Sequence, residues 1–147
     1  MRLCRFAFLA LFVTSLWLPA YGHHIAVVVH EQNPTKSMSS PELARIFKAE
    51  TRKWPDGAQI LVVLNRNSEV SFQIIERLAG MPNASAQAFI ATHKMHFALT
   101  SSDEEVLRLV SSMPGAVGLV DVRAVDSRIK VLKIDGRLPL EKSYLPH

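Results

Sequence analysis

Short apolar runs rich in β-branched residues alternate with longer amphipathic segments along this chain, and this alternation most constrains its fold. The apolar runs predict buried strands, and they lie at residues 24–30, 59–64, 114–122 and 129–134. The amphipathic segments predict helices, and they lie at residues 39–50, 68–80, 83–97 and 101–113. Strands that alternate with helices favour an α/β domain, with a central, mostly parallel or mixed sheet flanked by helices.

Capping residues mark the ends of the first two predicted helices. Ser39 and Glu42 have the spacing of a capping box, and Pro41 stands in the first turn, where proline is tolerated. Ser68 is placed to cap the second helix. Gly80 has the position of a glycine that ends a helix. These signals predict where the two helices begin and where the second one ends.

The beginning of the chain has the pattern of a secretory signal. Arg2 and Arg5 precede an apolar stretch of 13 residues, 6–18, which is shorter than the roughly 20 residues of a membrane span. Small residues follow at the cleavage position. We therefore predict a signal peptide at residues 1–22 and a periplasmic or secreted domain at residues 23–147, with no membrane span after cleavage. An uncleaved anchor is the alternative.

Composition argues against several classes of function. Loss of Arg2 and Arg5 with the signal lowers the formal net charge from +4 to +2, which gives no case for nucleic-acid binding. The only cysteine, Cys4, lies in the predicted signal, so the mature domain has no thiol for a disulfide or a thiolate metal site. The G-x-S-x-G, H-E-x-x-H and Walker motifs are also missing from the sequence. We expect neither enzyme activity nor a cofactor.

The segment LNRNSEVSF, residues 64–72, follows a predicted strand and opens a predicted helix. Free backbone N–H groups and the helix dipole favour an anion at such a position. The hydroxyls of Ser68 and Ser71 and the guanidinium of Arg66 would add donors for phosphate, sulfate or a carboxylate. The alternative is an ordinary helix cap with a surface arginine, and Glu69 favours it because its carboxylate stands in the first turn.

Six motifs occur in an order that resembles the second lobe of the periplasmic phosphate-binding proteins that serve ABC transporters. They are Asn33-Pro34, SSPELARIF at 39–47, Trp54-Pro55-Asp56-Gly57, the segment from Arg66 to Phe72, PGAVGLVDV at 114–122 and VLKIDG at 131–136. The resemblance runs from residue 25 to residue 136, covers a single lobe, and implies the type-2 periplasmic-binding-protein fold.

This resemblance implies an exported, non-enzymatic protein that binds phosphate or a related oxyanion. Arg66, Ser68 and Ser71 match the family's second-lobe phosphate contacts. The sequence departs from the family pattern at Glu69 and Val70, which stand where glycines let the backbone approach an anion closely. Full-length members close two lobes over the ligand, whereas a single lobe leaves the site open to solvent, which screens its charges.

Two further hypotheses follow from the sequence. A single lobe that has lost its ligand would act as an interaction module, docked on an envelope protein partner or on a second copy of itself. A mature N-terminus at His23 would chelate copper if another imidazole approached it, and His93 and His96 lie three residues apart on a predicted helix. The acidic or cysteine partners of usual metal sites are missing at those spacings, so we predict no metal site.

Overall fold

A five-stranded sheet forms the centre of the structure, a computed structural model that describes residues 24–146. The predicted signal peptide and His23 therefore lie outside the described residues. In chain order the elements are β1 (Ile25–His30), β2 (Ser37–Met38), α1 (Ser40–Phe47), β3 (Leu61–Asn65), α2 (Glu69–Ala79), α3 (Asn83–Thr92), β4 (Phe97–Thr100), α4 (Asp103–Ser112), β5 (Ala116–Asp121), a 3-10 turn (Val122–Ala124), β6 (Ile129–Val131) and β7 (Lys133–Ile134).

The central sheet is mixed, with one strand running against the others. Its order is β4-β3-β5-β1-β6. Strand β3 is parallel to both β4 and β5, whereas β1 is antiparallel to both of its neighbours, β5 and β6. Strands β2 and β7 form a separate two-stranded parallel sheet. This architecture confirms the predicted α/β class with a mostly parallel or mixed sheet.

Side chains alternate across the central sheet and build one apolar core on each face. On β1, Val27 and Val29 belong to the core that includes the buried faces of α1, α2 and α3, whereas Ala26 and Val28 belong to the core beneath α4. Period-two alternation of this kind is what a strand buried on both faces requires. The result is three layers, with helices on both sides of the sheet. No helix within residues 24–146 has the length and apolar character needed to cross a membrane.

A glycine lets α4 lie close against the sheet. Gly118, in the middle of β5, faces this helix, and a Cβ built on it would lie 2.6 Å from Cγ1 of Val106. Since real Cβ contacts are not that short, any larger residue would push α4 outward. The tight contact holds the N-terminal end of α4 near the ends of the parallel strands.

The predicted helix caps are present. The N–H of Ser39 donates to Oε2 of Glu42 at 2.7 Å, and the N–H of Glu42 donates to Oγ of Ser39 at 3.3 Å, which completes the capping box. Helix α2 has Ser68 as its N-cap and ends at Gly80, whose φ of +66° is the left-handed conformation that favours glycine.

The helix predicted over residues 83–97 was wrong in its last turn, which leads instead into a strand that was not predicted. Helix α3 ends at Thr92, and Phe97 begins β4, where it pairs with Val62 of β3. Local sequence favours a helix here, but the buried Phe97 side chain and the free edge of β3 favour a strand. The predicted strand 129–134 is divided into two, because β6 pairs with β1 in the central sheet whereas β7 pairs with β2 in the small one.

The C-terminal segment folds back and is tied to β1 by one tyrosine. The buried hydroxyl of Tyr144 donates to the carbonyl of Leu132 at 2.6 Å and accepts from the N–H of Val27 at 3.2 Å. Burial raises the pKa of Tyr144 to about 12, so the hydroxyl stays protonated at physiological pH. This contact places the tail beside the first residues of β1 and the outer face of α2.

Candidate anion site

The carboxyl ends of the parallel strands meet at one edge of the sheet, where α2 and α4 begin. Asn65 ends β3, Thr100 ends β4 and Asp121 ends β5. In open α/β sheets this edge is where ligands usually bind. An open cleft of about 360 Å³ lies there. Its lining residues are Ile25, Asn65, Asn67, Ser68, Glu69, Val70, Asp103, Asp121 and Arg123.

The structure brings together the two serines predicted from the sequence. The Oγ atoms of Ser68 and Ser71 lie 2.8 Å apart, and Oγ of Ser68 accepts from the N–H of Ser71 at 3.2 Å. Ser68 lines the cleft, whereas Ser71 is fully buried beneath it. Only the Ser68 hydroxyl therefore reaches a ligand directly, and Ser71 acts on that hydroxyl by fixing its position.

Two backbone amides at the start of α2 have no acceptor within residues 24–146. They belong to Glu69 and Val70, the first and second residues of the helix. The two preceding amides are hydrogen-bonded within the protein. The N–H of Asn67 donates to the side chain of Asn65, and the N–H of Ser68 donates to the carbonyl of Asn65. First-turn amides of this kind carry the partial positive charge of the helix end. They give the cleft a small donor array suited to an oxyanion.

Arg66 lies outside this cleft. Its backbone N–H and its Nε both donate to the carbonyl of Thr100, at 2.9 and 3.3 Å. Its exposed side chain lines a different depression, between α2 and α3, together with Phe72 and Glu76. Hydrogen bonds from Ser101 are the main cause of the lowered pKa of Glu105, and the charge of Arg66 adds to it. The structure thus separates Arg66 from the Ser68 hydroxyl, and its role as a ligand partner stays a prediction.

Carboxylates give the cleft a negative balance. One oxygen of Asp103 accepts from Nδ2 of Asn65 and the other from the N–H of Asp121, both at 2.9 Å. Asp103, Asp121 and Glu69 line the cleft with only one cationic side chain, Arg123. Two of these carboxylates are held by protein donors, whereas the exposed Glu69 has no hydrogen-bond partner within the described chain. Glu69 is therefore the carboxylate that a bound anion would meet.

Arg123 is a cationic residue of the cleft that the sequence did not single out. Its Nε and Nη2 donate to Oδ1 and Oδ2 of Asp121, at 2.9 and 2.8 Å. These hydrogen bonds, with the charge of Asp121, raise the pKa of Arg123, so the guanidinium is permanently charged. The only available signal was its position two residues after a strand, at the edge where sites form.

The histidines considered as metal ligands have separate structural partners. Nδ1 of His93 lies 2.8 Å from the carbonyl of Phe89, and the two rings stack with centroids 3.9 Å apart. Nε2 of the buried His96 lies 2.7 Å from the carbonyl of Ile46. Burial lowers the pKa of His96 despite that hydrogen bond, and Nε2 is the donor because a carbonyl oxygen only accepts. Because α3 ends at Thr92, the predicted shared helical face of His93 and His96 was wrong.

The structure is thus an α/β lobe with an open polar cleft at the carboxyl edge of its parallel strands. A family model described as a PBP superfamily domain matches residues 17–144. The chain belongs to this family, which confirms the predicted relationship to periplasmic binding proteins. No curated protein sequence matches the chain.

Solved structures with this fold include phosphate-binding proteins of ABC transporters. An ABC-type phosphate transport receptor from Vibrio cholerae matches with a TM-score of 0.63 and 21% identity, over 79% of this chain and 48% of that one. PstS from Borrelia burgdorferi matches with a TM-score of 0.63 and 16% identity, over 79% and 49%. A phosphate-binding protein from Stenotrophomonas maltophilia matches with a TM-score of 0.63 and 16% identity, over 80% and 40%. The chain spans less than half the length of each of these proteins, as a single lobe does.

Proposed function

We propose that this chain is an exported, non-enzymatic binding protein for phosphate or a related small oxyanion. The ligand occupies the cleft at the start of α2, against the amides of Glu69 and Val70 and the hydroxyl of Ser68. Ser71 orients that hydroxyl from below. Arg66 contributes its charge from the outer side of the helix start, where salt screens it. The predicted signal at residues 1–22 would direct the protein to the periplasm or outside the cell.

One observation carries this proposal: two amides without an acceptor in the described part of the chain belong to Glu69 and Val70, which line the cleft beside Ser68. Amides fixed by a helix need no reorganisation when an anion arrives, and the helix dipole supports negative charge at that end. The family relationship supports the same ligand class, because the structural relatives described above are phosphate-binding proteins. Glu69 and the openness of the cleft keep the affinity low, since solvent screens the charge-assisted hydrogen bonds.

The second candidate, an interaction module without a small ligand, is favoured by the charge of the same cleft. Three carboxylates face one guanidinium there, and Ser71 is buried. Such a surface suits a basic segment of an envelope protein better than a free anion. The two functions differ in one simple respect, because a module of this kind has no need of the α2 amides.

Calorimetric titration with phosphate tests the proposal, and the chain offers a matched control. Ser68 caps α2, and Ser102 caps α4 with the same contact, an Oγ that accepts from the third helical N–H at 3.2 Å. We expect Ser68→Ala and Ser102→Ala each to cost about 1 kcal/mol of stability through the lost cap. Only Ser68→Ala should also weaken phosphate binding, by about three- to tenfold for one hydroxyl hydrogen bond.

Absence of heat and of thermal stabilisation at millimolar phosphate would overturn the oxyanion proposal and leave the interaction module as the better function. Equal loss of affinity in both serine variants would show that phosphate binding depends on the overall stability of the protein and not on the α2 cleft. Titration with sulfate and with acetate under the same conditions identifies which oxyanion the cleft prefers.

A further inference from the structure

A small apolar cavity lies directly behind the proposed oxyanion cleft. It has a volume of about 130 Å³ and is more enclosed than the cleft. Ile25 of β1 and Val70 of α2 line both spaces, so the cleft and the cavity adjoin at these two residues. Val70 carries one of the two proposed oxyanion amides and also lines the cavity.

Carbon atoms make most of the inner surface of the cavity. Ile74, one turn beyond Val70 on α2, forms one side, and the C-terminal segment forms the other with Pro139, Tyr144 and Leu145. The Tyr144 hydroxyl is already bonded to Leu132 and Val27, so this residue offers the cavity mainly its ring. Polar side chains also line it, those of His24, Gln73 and Arg77. An apolar group would cover the carbon atoms of these walls, which offer water no hydrogen bond.

The size of the cavity limits what it can hold. A cavity of about 150 Å³ lined by aliphatic and aromatic side chains accepts benzene, and this one is slightly smaller. One helical turn, about 5.4 Å, separates Val70 from Ile74. A substituent attached to an oxyanion at the start of α2 therefore needs only the length of a phenyl ring or a short alkyl chain to fill the space.

We propose that the ligand of this cleft is an organic phosphate or phosphonate, with its oxyanion at the start of α2 and an apolar substituent of phenyl size in the adjoining cavity. This inference rests on the oxyanion function proposed above and names the substrate class of the same site. It accounts for a cavity that inorganic phosphate would leave unused. The tail held by Tyr144 then acts as one wall of the substrate pocket.

Comparison of phenyl phosphate with inorganic phosphate by calorimetry tests the inference, above neutral pH where both are mainly dianions. Transfer of a phenyl-sized group from water into the cavity should tighten binding by about 10- to 100-fold. Equal or weaker binding of phenyl phosphate, with phosphate still bound, overturns the inference but leaves the oxyanion function intact. Binding of neither compound removes both. Phenol that binds as tightly as phenyl phosphate also overturns it, because the oxyanion would then contribute nothing.

A variant that fills the cavity gives a second, independent readout. Gln73 is exposed on α2 and lines the cavity without lining the oxyanion cleft. We expect Gln73→Trp to abolish the advantage of phenyl phosphate and to leave the affinity for inorganic phosphate unchanged, while Gln73→Ala keeps the advantage. In the wild-type protein, affinity should rise from methyl to butyl phosphate and then stop rising. An advantage that survives Gln73→Trp places the phenyl group elsewhere and contradicts the proposal.

Discussion

Helices α2 and α4 begin at the same edge of the sheet, but their N-terminal ends differ in the acidic side chains that surround them. Both α2 and α4 have a serine N-cap that accepts from the third helical N–H. The first turn of α4 carries three acids, Asp103, Glu104 and Glu105, whereas that of α2 carries only Glu69. In α4 the acids also bind other parts of the protein, and in α2 the acid binds nothing within the described residues.

The difference shows what distinguishes a structural helix start from a candidate binding site. At α4 the protein supplies its own anions. Asp103 bridges the ends of β3 and β5, Glu104 pairs with Arg128, and Glu105 accepts from Ser101. The positive end of this helix is thereby neutralised from within. Within residues 24–146 the only acid in the first turn of α2 is Glu69, whose carboxylate binds no protein group, so the amides there can bind an external anion.

Asp103→Ala should break this contrast with the largest change in stability. Removal of the Asp103 carboxylate takes away the acceptor of two hydrogen bonds, those from Nδ2 of Asn65 and from the N–H of Asp121. This loss should lower the free energy of unfolding by about 1–3 kcal/mol. The Glu69 carboxylate accepts no hydrogen bond within the described residues, so Glu69→Ala should change the free energy of unfolding by less than about 0.5 kcal/mol. Urea unfolding at neutral pH measures both. Similar costs for the two variants would mean that the two helix starts do not differ as described.

Arg66 and Arg123 both lie near the start of α2, and their substitution should affect the affinity for phosphate differently. Arg66 lies outside the cleft and is exposed, so Arg66→Ala should weaken phosphate binding by less than about fivefold, a surface-charge effect. The effect should disappear in high salt, because a screened charge acts only at low ionic strength. Arg123 lines the cleft, and Arg123→Ala should retain a loss of affinity in high salt. A large, salt-independent loss for Arg66→Ala would mean that its guanidinium contacts the anion directly.

The smallest expected effect concerns the pH dependence of the α4 cap. Hydrogen bonds from the N–H and Oγ of Ser101 lower the pKa of Glu105. A lowered folded-state pKa stabilises the protein above the unfolded pKa of about 4.3, and this stabilisation is lost as the pH falls through the folded pKa. Glu105→Gln should therefore be less stable than wild type at neutral pH and equal to it in acid. A stability difference that persists in acid would assign the effect to packing instead of charge.

Most of the architecture was predictable because it depends on local signals. The caps at Ser39 and Ser68 follow from spacing within one helical turn, and so does the contact between Ser68 and Ser71. Strand β4 was not predictable, because Phe97 adopts its strand only by pairing with Val62 of β3. Signals of that kind connect distant parts of the chain and leave little trace in a local pattern.

The candidate site was predictable only in part, for the same reason. Its place at the start of α2 follows from the sequence order of strand, serine and helix. The direction of Arg66 depends on the carbonyl of Thr100, 34 residues away. Arg123 lies in the cleft because β5, which precedes it, pairs with β3. Long side chains near a site are positioned by such tertiary contacts, so their roles require the folded structure.

Phosphate titration of Glu69→Ala and Glu69→Pro tests the role of the α2 amides most directly. Both variants remove the carboxylate, but only proline also removes the first helical N–H. Proline is tolerated there, and the extended conformation of Ser68, with φ of −92° and ψ of 95°, is compatible with a following proline. We predict that Glu69→Ala binds phosphate at least as tightly as wild type, and that Glu69→Pro binds about tenfold or more weakly. Equal affinity in two folded variants would contradict anion binding by these amides.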